Sequence, residues 1–105
     1  MSYEAAFTAL SDPTRRAIVE TLRAAPSPVG QLARQFPVSR PAISQHLKVL
    51  AEAGLVTADR HGTARVYRLA PEGWSDLRGY LDRLWNDALA AYAREAHRKA
   101  KEQRT

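Results

Sequence analysis

Apolar positions recur at helical spacing through most of the chain and alternate in one short region. Tyr3, Ala6, Phe7 and Leu10 share one face of a first helix. "SDPTRRAIVETLRAA" starts a second, with Asp12 placed to cap it, Pro13 at its first position, and Ile18, Leu22 and Ala25 as its inner stripe. "SPVGQLARQF" reads as a third helix, capped by Ser27 and followed by Pro28, with Val29, Leu32, Ala33 and Phe36 at i, i+3, i+4 and i+7. After a "PV" break, Ser39 caps a fourth helix whose first turn tolerates Pro41 and whose inner face carries Ile43, Leu47 and Leu50. Gly54 stands where a helix-ending C′ glycine belongs. "LVTADR" and "ARVYRLA", joined through "HGT" with Gly62 as the turn residue, then read as a hairpin. From Pro71 to about Ala100 the helical spacing returns through Trp74, Leu77, Leu81, Leu84, Ala88 and Tyr92, and the final "KEQRT" is expected to fray.

Two short helices joined by a tight turn, the second leading into a hairpin, describe a winged helix-turn-helix. The expected fold is mainly α, with about five helices and a two-stranded wing, in a single domain over residues 1–105. Its parts are N-terminal helices at 1–25, the helix-turn-helix at 27–54, the wing at 55–70 and a last helix at 71–100. A helix of roughly thirty residues runs about 45 Å, longer than a domain of this size covers alone. Its stripe predicts a two-fold dimer through the first and last helices, with Tyr3, Phe7, Leu77, Leu81, Leu84, Trp85, Ala88 and Tyr92 in the interface.

With Ile43, Leu47 and Leu50 inward, a step of about 100° per residue puts Pro41, Gln45, Lys48 and Glu52 outward and Arg40 and Ser44 on the flank. The short polar residues cluster with Ser39 in the first two turns, where a recognition helix enters the major groove. Gln45 suits adenine, Arg40 guanine and Ser44 either a base or a phosphate, while Lys48, farther along, suits a phosphate. His46 falls about 60° from the centre of the buried face, which leaves packing and base reading both open. Around the hairpin turn, Arg60, His61, Thr63 and Arg65 would meet flanking phosphates or the minor groove, with Arg60 and Arg68 on strand faces that the sequence leaves open.

The charge balance agrees with a polyanionic partner: 16 Lys and Arg against 11 Asp and Glu, for a formal charge of +5. With no cysteine, disulfides, thiolate metal sites and cysteine catalysis are excluded. Neither a basic leader nor an apolar run approaching about 18 residues is present, so a cytoplasmic protein without a membrane span is expected. No phosphate-cradling glycines and no activated Ser, His and acid set suggest an enzyme. The competing reading is a winged-helix protein-interaction module without specific DNA binding.

"FTALSDPTRRAIVETL", "SRPAISQHLKVLAEAGLV" and "RHGTARVYRL" together resemble the ArsR/SmtB-type bacterial repressors over roughly residues 5–92. The resemblance implies a homodimeric repressor binding double-stranded DNA at an imperfect palindrome in a promoter. Many members sense metals, but here the third helix, "PVGQLA", carries no cysteine. In the last helix Asp82, Asp87, Glu95 and His97 depart from the sensor pattern, with Leu84 two positions after Asp82 where that pattern has His. No metal or other cofactor is therefore expected, and no effector is named.

Overall fold

The computed structural model describes residues 2–104. In chain order the elements are α1 (Tyr3–Leu10), α2 (Pro13–Ala24), β1 (Ser27–Pro28), α3 (Val29–Ala33), α4 (Arg40–Glu52), β2 (Val56–His61), β3 (Ala64–Leu69) and α5 (Pro71–Arg104). Two compact units divide the chain, one ending at Ser75 and the other starting at Asp76. The winged helix-turn-helix lies in the first. No helix among the described residues is long and apolar enough to cross a membrane.

Side-chain caps start α1, α2 and α4. Ser2 Oγ accepts from Ala5 N at 3.2 Å, Asp12 Oδ2 from Arg15 N at 3.0 Å and Ser39 Oγ from Ala42 N at 3.2 Å. The core of this unit includes Ile18, Leu22, Leu32, Ile43, Leu47, Leu50 and Leu55, all buried, each contributing about 1.5–3 kcal/mol by leaving water. In α2 the inner stripe is Ile18, Val19 and Leu22. Ala25 is instead exposed, because Pro26 disfavours the helical conformation before it and Ala25 turns extended, at φ −165° and ψ 149°.

The third helix is shorter than its apolar spacing predicts. Ser27 does not cap it; Ser27 and Pro28 form β1, which pairs antiparallel with β3 at Tyr67 and Val66. The sheet therefore has three strands in the order β1–β3–β2. Pro28, which has no N–H to offer a ladder, is tolerated there because β1 is an edge strand. At the other end Phe36 lies outside the helix, since Pro37 disfavours a helical residue before it.

A Schellman motif ends α4: Gly54 N donates to Ala51 O and Leu55 N to Leu50 O, both at 3.0 Å, with Gly54 at φ 79°. The chain then enters β2 with Leu55 and Val56 buried. Gly62, at φ 63°, and Thr63 form the two-residue hairpin turn, with glycine first as a II′ turn requires.

The start of α5 packs against this same corner. Ala70 N and Trp74 Nε1 both donate to Leu55 O, at 3.0 and 2.9 Å. Gly73 lies so close to the chain that a Cβ there would stand 1.8 Å from Gly54 O. No sequence pattern marked Gly73 for this close approach.

From Asp76 onward α5 carries its own ion pairs, Arg78 with Asp82 at 3.7 Å and Arg98 with Glu95 at 2.6 Å and with Glu102. The Glu95 carboxylate chiefly raises the Arg98 pKa, against some lowering by desolvation, and Glu102 adds a smaller rise. The helix runs to Arg104, past the expected end near Ala100; Thr105 lies outside the described residues.

Candidate nucleic-acid interface

On α4, Ile43, Leu47 and Leu50 are fully buried, while Pro41, Ser44, Gln45, Lys48 and Glu52 are exposed. Arg40 and Ser39, at the start of the helix, are exposed as well. A 13-residue helix thus presents one continuous polar face, and its cap leaves the first turn ordered. Arg40, Ser44 and Lys48 line one wall of an open recess of about 700 Å³. The opposite wall is the wing, through Thr57, Arg65 and Tyr67.

Strand register assigns the wing's arginines to faces. Arg60 pairs directly with Arg65, and Ala58 with Tyr67, so these residues share the face that lines the recess. The Arg65 guanidinium stands over the Tyr67 ring, 5.7 Å from its centroid. Two arginines directly opposite one another repel, which destabilises a hairpin that has no anion to receive them. Arg68 belongs to the alternate row and is held at home, its Nε donating to Asp59 Oδ2 at 2.7 Å. His61, opposite Ala64, is exposed in that same alternate row, away from the Arg60–Arg65 pair, and Thr63 is exposed in the turn.

His46 is half-buried, with its Nδ1 3.4 Å from Arg15 Nη1. A guanidinium only donates, so this contact uses Nδ1 as the acceptor and leaves the ring proton on Nε2. Arg15 is itself fixed, Nε donating to Ala9 O at 2.7 Å and Nη2 to Thr8 O at 3.1 Å. Nearby, the Asp12 carboxyl is held under its ordinary pKa chiefly by the backbone N–H of Arg15, with the Arg15 charge adding to the effect against some desolvation.

The arginines of the first unit fall into two groups. Arg15, Arg16, Arg23 and Arg68 hold carbonyls or carboxylates of the chain. Arg34, Arg40, Arg60 and Arg65 are exposed and have no carboxylate partner among the described residues. All four lie on α4, on the wing or at the end of α3. Lys48 adds a fifth exposed cation that forms no ion pair among the described residues.

Of the residues expected at a dimer interface, Tyr3 is half-buried and Leu77 is buried within the single chain. Phe7, Leu81, Leu84, Trp85 and Tyr92 are large apolar residues left 43, 46, 49, 65 and 75% exposed, and Ala88 is exposed with them. Leu89, 48% exposed, belongs with this group, and its spacing of four from Trp85 was the available signal. Arg15 and Tyr67 were also missed. Tyr67 follows Arg65 by two on a strand, so alternation puts it on the Arg65 face, whereas nothing local connects Arg15 to His46.

Among the described residues, no three of the Asp, Glu and His side chains gather closely enough to hold a metal ion. Asp82 and Glu95 are instead paired with Arg78 and Arg98.

Residues 10–58 match the family model of a helix-turn-helix domain. The HTH-type transcriptional regulator Rv2034 of Mycobacterium tuberculosis is 58% identical over 92 residues, which is 88% of this chain and 86% of that protein. An ArsR-like transcriptional regulator from Rhodococcus superposes with a TM-score of 0.74 at 35% identity, over 90% of this chain and 89% of the other. The homodimeric winged helix-turn-helix DNA-binding domain of Mb0332 from Mycobacterium bovis superposes with a TM-score of 0.65 at 27% identity, over 82% and 80% of the two chains. With the motif residues, the three-stranded winged fold and these similarities in agreement, the chain belongs to the ArsR/SmtB-type family of winged helix-turn-helix transcriptional regulators.

Proposed function

We propose that the chain acts in the cytoplasm as a homodimeric repressor, setting α4 of each protomer into the major groove of a palindromic operator and blocking the promoter by occupancy. The observation that carries this reading is the cluster of Arg40, Lys48 and Arg65 around one recess, with Arg60 directly opposite Arg65 on the wing and none of the four in an ion pair among the described residues. Cations crowded without counter-charge are stabilised when phosphates take their place beside them. Gln45 and Ser44 are the base readers, with Arg40 at the helix start, while Lys48, Arg60, Arg65 and Thr63 hold the backbone. Ser39 and Pro41 lie beside the groove in the first turn. His46 would add a donor through Nε2, and His61, in the wing's other row, would reach only a flanking phosphate.

Two-fold pairing is supported by the exposed apolar residues of α5, which in a lone chain stay in water. It is supported also by the homodimeric state of the similar Mycobacterium bovis domain. In such a dimer the two α4 helices stand about 34 Å apart, one turn of DNA.

A gel shift on the protein's own promoter tests the function. The shift should survive an excess of unrelated duplex and weaken steeply with salt as counterions return to the DNA. A stable dimer that shifts no DNA at low salt would instead establish the interaction-module reading.

A further inference from the structure

A second recess, of about 410 Å³, lies between α3 and the tip of the wing, and it is lined by Gly30, Gln31, Arg34, Arg40, Thr63 and Arg65 among others. Its lining contains three arginines and no acid. Arg34 comes from the end of α3, Arg40 from the start of α4 and Arg65 from β3, so the elements on both sides of the helix-turn-helix contribute to it. The Arg40 guanidinium lies against α3, where a Cβ added to Gly30 would be 3.8 Å from Nη1. Arg40 also borders the larger recess, and so does Arg65. Arg65 is further positioned by the Tyr67 ring. Among the described residues no carboxylate pairs with Arg34, Arg40 or Arg65.

Three guanidinium groups facing one open space, with a hydroxyl and an amide beside them, match a tetrahedral oxyanion that accepts several donors at once. We propose that this recess seats a backbone phosphate of the bound DNA, next to the groove that α4 reads, with Arg34 as its dedicated cation. The proposal rests on the DNA-binding reading above. It assigns to Arg34, which no base-reading argument reaches, a contact that holds the register of α4 on the duplex without reading sequence.

The test is the salt dependence of binding to a random-sequence duplex, compared for the parent and Arg34→Gln. Arg34 is exposed and makes no ion pair among the described residues, so the substitution leaves the fold intact; a matched melting curve checks this. The variant should bind roughly tenfold more weakly. Its log–log salt slope should be shallower by about one for each protomer engaged. Arg34→Lys should keep most of the parent slope. Arg23→Gln, which removes a cation already paired with Glu20 on α2, should change nothing.

A parent that binds with a steep slope while Arg34→Gln shares that slope would overturn the phosphate seat and leave the DNA-binding reading standing. A parent that binds no duplex would overturn both. Titration of ¹⁵N-arginine-labelled protein separates the sources of phosphate. Movement of the Arg34 Nε–H signal by micromolar duplex, and not by inorganic phosphate at the same concentration, supports the proposal. Saturation by inorganic phosphate, with an unchanged slope on DNA, would make the recess a free-anion site and contradict it.

Discussion

Arg15 and Gln45 are both polar helix residues in a basic sequence, yet the fold gives them opposite circumstances. Arg15 is committed to Ala9 O, Thr8 O and His46, whereas Gln45 is exposed on the outer face of α4. Helical periodicity was enough to place Gln45 outward and His46 at the border of the core. The Arg15 contact was not legible, because it joins positions 31 residues apart and no local pattern encodes the pairing. Gln45→Ala should relax sequence preference by about 1–3 kcal/mol while binding to random duplex stays near the parent's; competition with single-base operator variants measures it. Asp12 supplies a pH dependence. Its folded pKa lies below the ordinary 3.8, so its ionised form stabilises the fold above that value, and the contribution disappears as pH falls through the folded pKa. Denaturant melts of the parent and Asp12→Asn should therefore differ at neutral pH and converge in acid.

At the scale of elements, caps and turns were the most legible features, and close approaches the least. Gly54 was identifiable because a C′ glycine follows an apolar stripe, and the two hydrogen bonds of its motif form as that placement implies. The "SPVGQLARQF" stretch was overextended. Helical spacing alone does not reveal that Ser27 and Pro28 complete a sheet by pairing with a strand about forty residues on. Two glycines of α5 show what tertiary contact adds. Ala exceeds Gly in helix propensity by about 1 kcal/mol, so propensity alone would favour alanine at both Gly73 and Gly79. At Gly79 the nearest obstacle is the flexible Arg83 Nη1 at 3.4 Å, and Gly79→Ala should raise the melting temperature slightly. At Gly73 the obstacle is the Gly54 carbonyl at 1.8 Å. Gly73→Ala must move the start of α5 away from the corner that ends α4, at a cost of about 3 kcal/mol. Thermal melts of the two variants, run side by side, check the opposite signs.

At the scale of the whole molecule, a chain of 105 residues leaves Leu81, Leu84, Trp85, Leu89 and Tyr92 in water along one helix. The length of that helix and its apolar spacing were legible in the sequence, but periodicity finds apolar faces without saying which surface covers them. For the proposed dimer, Trp85→Asp should weaken self-association by about 2 kcal/mol or more, read as a shift toward monomer in sedimentation equilibrium. Operator affinity should fall with it, because a monomer engages one half-site. The central claim is that paired α4 helices read DNA in sequence-specific fashion. Selection of bound duplexes from a random pool tests it most directly. The expected product is a palindrome whose half-sites lie about 10 base pairs apart, centre to centre; a pool that shows no enriched sequence after repeated rounds would contradict it.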